Sequence, residues 1–194
     1  MNRALIVIDV QESFLHMPDW EFASRPDIVA QVGRLVGAAR GRGDEVVWIL
    51  GSRPGAGTVF DPALGHVQLM EGLVPLESEP VFTKTAHNAF TTTGLQQYLT
   101  VRGIRRLTVC GIRTEQCCET TTRIASDLGF DVDFAVDATV TTPIPHRDAS
   151  PRLPFSRLMD DPRTLRVEEI IARTEYVLAG RFATIRTVDQ LTQL

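Results

Sequence analysis

The sequence predicts an α/β protein, built as a three-layer α/β/α sandwich around a mostly parallel sheet. Three observations predict it. Apolar runs of strand length recur along the chain, as in ALIVIDV (4–10), EVVWIL (45–50) and LTVCGI (107–112), with helix-patterned segments between them. These runs are continuous instead of alternating, which marks strands covered on both faces. Glycines close the helical segments, at Gly43, Gly129 and Gly180.

In chain order, residues 4–10 form the first strand, with Asp9 near its end. Residues 28–42 read as a helix, because Val29, Val32, Leu35, Val36 and Ala39 share one broad apolar face. The second strand (45–50) runs into the Gly/Pro-rich loop GSRPGAGTVFDP. EPVFTK (79–84) is a short strand ending in Lys84, and 91–102 is a helix with Leu95 and Leu99 inward. The strong strand 107–112 feeds a helix from about Thr114 to Leu128. DVDFAVDA (131–138) is the next strand, and a proline-bearing stretch, TTPIPHRDASPRLP, follows it. A helix over 163–179 and a strand over 182–185 complete the pattern. Right-handed crossovers place the C-terminal strand ends on one rim, where loops gather and ligands bind.

The 194 residues suffice for one sizeable core, so a single domain over 1–194 is expected. Composition is that of an ordinary globular protein, 43% hydrophobic and 23% charged. A net charge of -4 without a basic block or tail argues against nucleic acid as a partner. No window has the apolar length of a membrane span, and MNRALIVIDV lacks the flanks and cleavage signal of a secretory peptide. Three cysteines make no disulfide framework, so a reducing cytoplasm is the expected compartment. The expected partner is a small-molecule substrate.

Asp9, Lys84 and the pair Cys117/Cys118 lie at or just past the C-terminal ends of predicted strands, so the topology gathers them on one rim. A carboxylate inside a buried run is costly unless paired, and an ion pair with Lys84 would keep both groups charged. Cys110 lies within an apolar strand and reads as core. Cys117 and Cys118 open a helix, with Thr114 as a plausible N-cap, and first-turn N–H groups favour a thiolate. Helical periodicity does not choose between the two. The four histidines show no metal-ligand spacing, and CC is not the CxxC of a zinc knuckle. Phosphate-binding and dinucleotide glycine loops are missing, as is the GxSxG of serine hydrolases. No cofactor and no metal are therefore expected.

VIDVQESF (7–14), FTKTAHNAF (82–90), GIRTEQCCETTTRIASDLGF (111–130) and VDA (136–138) together resemble the isochorismatase-like cysteine hydrolases. That family includes nicotinamidases, N-carbamoylsarcosine amidases, ureido-acid hydrolases and isochorismatases. The resemblance runs from Ala4 to about Ala138, with GRFATIRTVDQL similar to the family's last strand and helix. It implies an isochorismatase-like (Rossmann-like) fold and a catalytic Asp9, Lys84 and Cys117, the cysteine falling on the T-x-x-C spacing from Thr114. Cys118 stands where the family pattern has valine, and Asn88 where it has serine. The resemblance also implies a non-proline cis peptide at Ile112–Arg113, and an oxyanion hole made by the backbone N–H groups of Arg113 and Cys117. Nicotinamidases of the family hold a metal through an aspartate and histidines after the second strand; that loop here has no histidine near its start. Homo-oligomers are common in such families.

The reaction implied is hydrolysis of a C–N bond in a small amide, carbamoyl or ureido compound through a Cys117 thioester. Alternatives from other classes are a vinyl-ether C–O hydrolase using Asp9 as general acid, a non-catalytic binding protein that keeps the fold, and a thiol redox protein. Phe14, Trp20, Asn88 and Phe90 are candidate pocket walls, with core packing the competing role for the aromatics. Arg53 and Arg113 are candidates to meet a substrate carboxylate or to stay solvated.

Overall fold

The sheet has six strands in the order β3-β2-β1-β4-β5-β6, and every adjacent pair is parallel. This is a computed structural model that describes residues 2–150 and 152–193. The strands are β1 (Arg3–Ile8), β2 (Glu45–Gly51), β3 (Val81–Lys84), β4 (Arg106–Ile112), β5 (Asp131–Val140) and β6 (Thr184–Arg186). The order reverses direction between β1 and β4. Loops leaving those two strands diverge to opposite faces, and the crevice between them is the usual ligand position in open α/β sheets.

The continuous apolar runs are explained by burial on both faces. Along β1, Ala4, Ile6 and Ile8 enter one hydrophobic cluster and Leu5 and Val7 the other. The first cluster lies under α2 (Leu95–Val101), α3 (Glu119–Asp127) and α5 (Val167–Leu178), which contribute Leu95, Leu99, Ala125 and Leu178. The second lies under α1 (Ile28–Arg42) and α6 (Val188–Thr192), through Val32, Leu35, Val36, Val188 and Leu191. A single turn, α4 (Phe155–Leu158), follows the proline-bearing stretch. Among the described residues no helix is long and apolar enough to cross a membrane.

Several boundaries differ from the sequence reading, each for a local reason. The helix expected over 91–102 starts at Leu95, because Asn88 and Thr93 first build a turn: Asn88 Oδ1 accepts from the N–H groups of Phe90 and Thr91, and Thr93 Oγ1 from that of Leu95. The helix expected over 163–179 starts at Val167, where Glu169 accepts the N–H of Arg166. β3 begins at Val81, because Glu79 is instead engaged with Arg40 and the Trp48 indole. The last strand covers Thr184–Arg186 rather than 182–185. β5 continues to Val140, and its register against β4 shifts between Val109 and Gly111. The VDA residues lie across that irregularity, where Asp137 accepts the N–H of Val188 and so starts α6.

Candidate active site

β1 stops at Ile8, and Asp9 takes a left-handed backbone (φ 54°), a conformation aspartate tolerates better than most residues. Its N–H still donates to the carbonyl of Ile49 at 2.8 Å, so the turn is tied to β2. The carboxylate then lies beside Gly51, at the end of β2. A Cβ on Gly51 would sit 3.2 Å from Asp9 Oδ1 and 3.4 Å from its Cγ, so the glycine leaves the space the carboxylate fills. Gly51 pairs with Lys84 in the β2–β3 register, which carries the lysine to the same level of the sheet. Buried Gln11 holds this strand end at both of its backbone groups, accepting from Gly51 N–H at 2.7 Å and donating to its carbonyl at 3.0 Å.

Lys84 is 3% exposed, and its ammonium has three hydrogens. Three acceptors surround it: Asp9 Oδ2 at 2.8 Å, the Ala86 carbonyl at 3.1 Å and Cys117 Sγ at 3.4 Å. The lysine thus bridges carboxylate and sulfur. Among the described residues, Asp9 Oδ1 has no hydrogen-bond partner.

Cys117 comes from the loop after β4. Gly111 adopts φ 128° and passes so near β1 that a Cβ there would lie 1.9 Å from the carbonyl oxygen of Ile8; only glycine fits. The Ile112–Arg113 peptide is cis. The next residues do not start an ordinary helix. The N–H of Cys118 reaches the carbonyl of Arg113 at 3.1 Å, five residues back, so Thr114–Cys118 form a wide π-type turn before α3. Thr114 is not the cap expected from sequence. It is fully buried and its hydroxyl donates to Thr139 at 2.9 Å, while extended Arg113 occupies the cap position. Among the described residues, the N–H of Arg113 has no acceptor and that of Cys117 has none outside its own turn. The Arg113 guanidinium is anchored: Asp19 accepts from it at 2.7 Å and also from Thr142 Oγ1 at 2.7 Å.

An isochorismatase-domain family profile matches residues 3–153. The chain belongs to the isochorismatase family. It is 30% identical over 140 residues to the isochorismatase family protein YrdC of Bacillus subtilis, covering 71% of this chain and 73% of that one. A streptothricin hydrolase of Streptomyces noursei is 35% identical over 145 residues, 74% of this chain and 56% of that protein. In fold, the chain is similar to the crystal structure of a hydrolase assigned to the isochorismatase family from Chromobacterium violaceum, with a TM-score of 0.86, 23% identity and coverage of 99% of this chain and 92% of that one.

In this isochorismatase-family chain a cavity of about 390 Å³ opens over the three residues. Buried Asp9, Lys84 and Cys117 form its floor, and its walls mix apolar Phe14, Met17 and Phe60 with polar Ser52, Arg53, His87 and Arg113, whose guanidinium lies 5.7 Å from the Phe14 ring. Burial raises the pKa of Asp9 even though Lys84 beside it works the other way. Burial also opposes the charge on Lys84, but Asp9 and Cys117 more than offset it, and its pKa ends above the usual value. The Cys117 thiol is pushed up to about 12, first by burial and then by the Asp9 carboxylate, with Lys84 opposing. This reverses the expectation that first-turn N–H groups favour a thiolate. Cys110, also expected as core, is fully buried within β4.

Of the four expected wall residues, only Phe14 lines the cavity. Trp20 lies behind it, ring centroids 6.3 Å apart, and Phe90 is turned into the core against Phe130 at 6.1 Å. Asn88 spends its carbonyl on the turn before α2. Phe60 does line the cavity and packs edge-on to Phe14 at 5.1 Å. As the one aromatic in a Gly/Pro-rich loop beside a predicted strand end, it carried a usable sequence signal. Gln11, Asp19 and Ser52 had none, since buried and solvated polar residues look alike in sequence.

The residues after β2 do not fit the metal that nicotinamidases of this family hold there. Asp61 accepts from the N–H groups of Gly57 and Ala63, and His66 is stacked on His16 with centroids 3.8 Å apart. Among the described residues no group of three or more His, Cys, Asp or Glu is placed to hold a metal ion.

Proposed function

We propose that the chain hydrolyses a C–N bond of a small amide, carbamoyl or ureido compound through a thioester on Cys117. The observation that carries this is the Lys84 ammonium bridging the Asp9 carboxylate and the Cys117 sulfur, 2.8 and 3.4 Å away, on the floor of one cavity. A thiol held near 12 is not a thiolate at rest. Asp9 therefore takes the Cys117 proton as the sulfur attacks the substrate carbonyl, and its raised pKa makes it a stronger base than an ordinary carboxylate. The C–S bond forms, and the carbonyl oxygen becomes an oxyanion facing the N–H groups of Arg113 and Cys117. Asp9 then gives the proton to the leaving nitrogen as the C–N bond breaks. Water attacks the thioester with Asp9 again as base, and the proton returns to sulfur. Lys84 stays protonated throughout and offsets the charge passing between Asp9 and the sulfur. Relatedness to a streptothricin hydrolase supports hydrolysis without naming a substrate.

The test is an ammonia-release screen over primary amides, carbamoyl amino acids and ureido acids, with Cys117→Ala and Cys118→Ala compared on any hit. Turnover is expected to vanish in the first and persist in the second. Loss only in Cys118→Ala would overturn the assignment. A second reading, vinyl-ether C–O hydrolysis with Asp9 as general acid, draws support from the raised Asp9 pKa, which keeps a proton available at higher pH. It expects Cys117→Ala to retain most activity.

A further inference from the structure

Asp19 stands where it could cap a helical turn and does not. It occupies the position before the short turn Trp20–Phe22, yet its side chain accepts no N–H there. Its buried carboxylate crosses instead to the stretch after β4, where Oδ2 accepts from the Arg113 guanidinium at 2.7 Å and from Thr142 Oγ1 at 2.7 Å. The guanidinium also donates to the Thr142 hydroxyl, which closes a ring of three side chains. They come from three segments: the chain after β1, the turn after β4 and the stretch after β5. The last of these is itself fixed, because Ser24 donates its N–H to the Thr141 carbonyl at 2.9 Å and accepts the Thr141 N–H on its hydroxyl at 3.1 Å. A buried ion pair adds little to net stability, since desolvation offsets most of its attraction. What it supplies here is a fixed position for the residue it holds.

That residue is the one from which the Cys117 turn hangs. The Arg113 carbonyl accepts from the N–H of Gln116 at 3.2 Å and from that of Cys118 at 3.1 Å, the neighbours of Cys117 on either side. Both terminal nitrogens of its guanidinium are bonded, and 12% of its side chain is exposed, so it borders the cavity with little left to offer a substrate. Its backbone N–H has no acceptor among the described residues. Arg113 is thus held through its carbonyl and its side chain, and left open at the N–H that the proposed reaction uses.

We propose that Asp19 and Thr142 are positioning residues for the hydrolysis: by clamping the Arg113 guanidinium they set the two backbone N–H groups, of Arg113 and Cys117, that receive the oxyanion. This rests on the reaction proposed above and deepens it. The clamp acts through the backbone and not on the reacting atoms. A donor already in place stabilises a developing charge better than one that must first turn toward it. Small displacements set up away from the chemistry are felt because the reacting geometry is narrow. Loss of the clamp should therefore slow the chemical step and leave substrate affinity nearly alone. A guanidinium that met the substrate directly would do the reverse, and freeing it from Asp19 would then improve binding.

The test compares Asp19→Ala, Asp19→Asn, Arg113→Met and the double variant Asp19→Ala/Arg113→Met with the unmodified protein. Turnover is measured on any compound that the ammonia-release screen yields. Two probes report on Cys117 without a substrate. Iodoacetamide alkylates the thiol by displacing iodide and forms no oxyanion. Small aliphatic and aromatic aldehydes add the thiol across their C=O bond, sulfur to carbon and proton to oxygen, and so put an oxygen at the N–H pair. Their affinity is read from protection against iodoacetamide. Asp19→Ala and Arg113→Met should each lower kcat by about 10-fold with KM little changed, short of the roughly 100- to 1,000-fold for losing an oxyanion donor outright. The double variant should be no worse than either, because the two side chains act as a unit. Asp19→Asn keeps an acceptor oxygen and should retain part of the rate. Aldehyde affinity should fall by the same factor as kcat, while alkylation without aldehyde stays nearly unchanged. Unchanged kcat and aldehyde affinity in Asp19→Ala, a raised KM with kcat unchanged, or an alkylation change as large as that in kcat would each overturn the clamp and leave the hydrolysis standing. Clamp-dependent aldehyde protection without turnover of any compound would overturn the hydrolysis and keep the clamp. Neither turnover nor aldehyde protection in the unmodified protein would overturn both.

Discussion

Lys84 has no hydrogen to spare: its three donors go to Asp9, Cys117 and Ala86. Replacing it with methionine leaves the Asp9 carboxylate buried and unpaired. Such a change costs about 3–5 kcal/mol when a buried pair loses one partner. Chemical denaturation of Lys84→Met should show a loss in that range, along with loss of turnover. Asp9 must be ionised to act as base, and its pKa is raised. Activity is therefore lost as pH falls through a value above the ordinary aspartate pKa of about 4. A pH profile of kcat/KM should place its acid limb there, and a limb at or below the ordinary value would contradict the burial argument. The thiol gives a separate readout. With its pKa near 12, the alkylation rate of Cys117 by iodoacetamide should climb about tenfold per pH unit through the neutral range with no plateau. At this scale the resemblance of short motifs carried Asp9, Lys84 and Cys117 into view. Spacing alone did not, because nothing in TEQCCETTTR separates one sulfur from the other. The residues that hold the surrounding backbone and Arg113 in place, Gln11, Ser52 and Asp19, stayed hidden, because burial makes a polar residue informative and burial is a property of the fold.

The elements that deliver the site are strand ends and the turns after them. β2 delivers a gap. Gly51→Ala would put a methyl group 3.2 Å from Asp9 Oδ1, tighter than an ordinary contact, in a segment Gln11 already clamps. The carboxylate must then shift by a few tenths of an ångström, so kcat should fall by less than the roughly 100-fold that a misplacement of about 1 Å costs at a reacting group. Circular dichroism and thermal melting would show the fold intact. The turn after β4 depends on Asp19 and Thr142 holding Arg113. Asp19→Ala would free that guanidinium, at a cost of about 1–3 kcal/mol for the unsatisfied buried groups. The element types were readable because apolar periodicity reports burial directly, and the continuous runs in β1 and β4 fitted strands covered on both faces. The boundaries moved where side chains bind nearby backbone, as Asn88 does before α2 and Glu169 before α5. The π-type turn at Thr114–Cys118 had no periodic signature at all, being a single displaced hydrogen-bond register.

At the scale of the whole molecule, the strand order places the sequence-distant Asp9 and Cys117 just past the ends of the two strands that flank the switch in direction, β1 and β4. The layered arrangement gives each face its own apolar cluster. Leu99→Ala, at a fully buried position on α2, should cost about 2–5 kcal/mol in denaturation. Lys84 arrives differently, from β3, a four-residue strand at the rim of the sheet that, among the described residues, pairs with β2 alone. Such margins open more readily than central strands, and their amides exchange with solvent without global unfolding. The lysine that organises the chemistry is thus mounted on one of the least protected parts of the sheet, and its contact with Asp9 helps to fasten the end of that strand. Removing the Asp9 charge as Asp9→Asn should quicken deuterium uptake at the amide of Ser52, bonded to the Lys84 carbonyl, while the amides of β1 and β4 stay slow. Chemistry and local breathing would then share a fastening, and proton occupancy of a single carboxylate would influence how often the site comes apart.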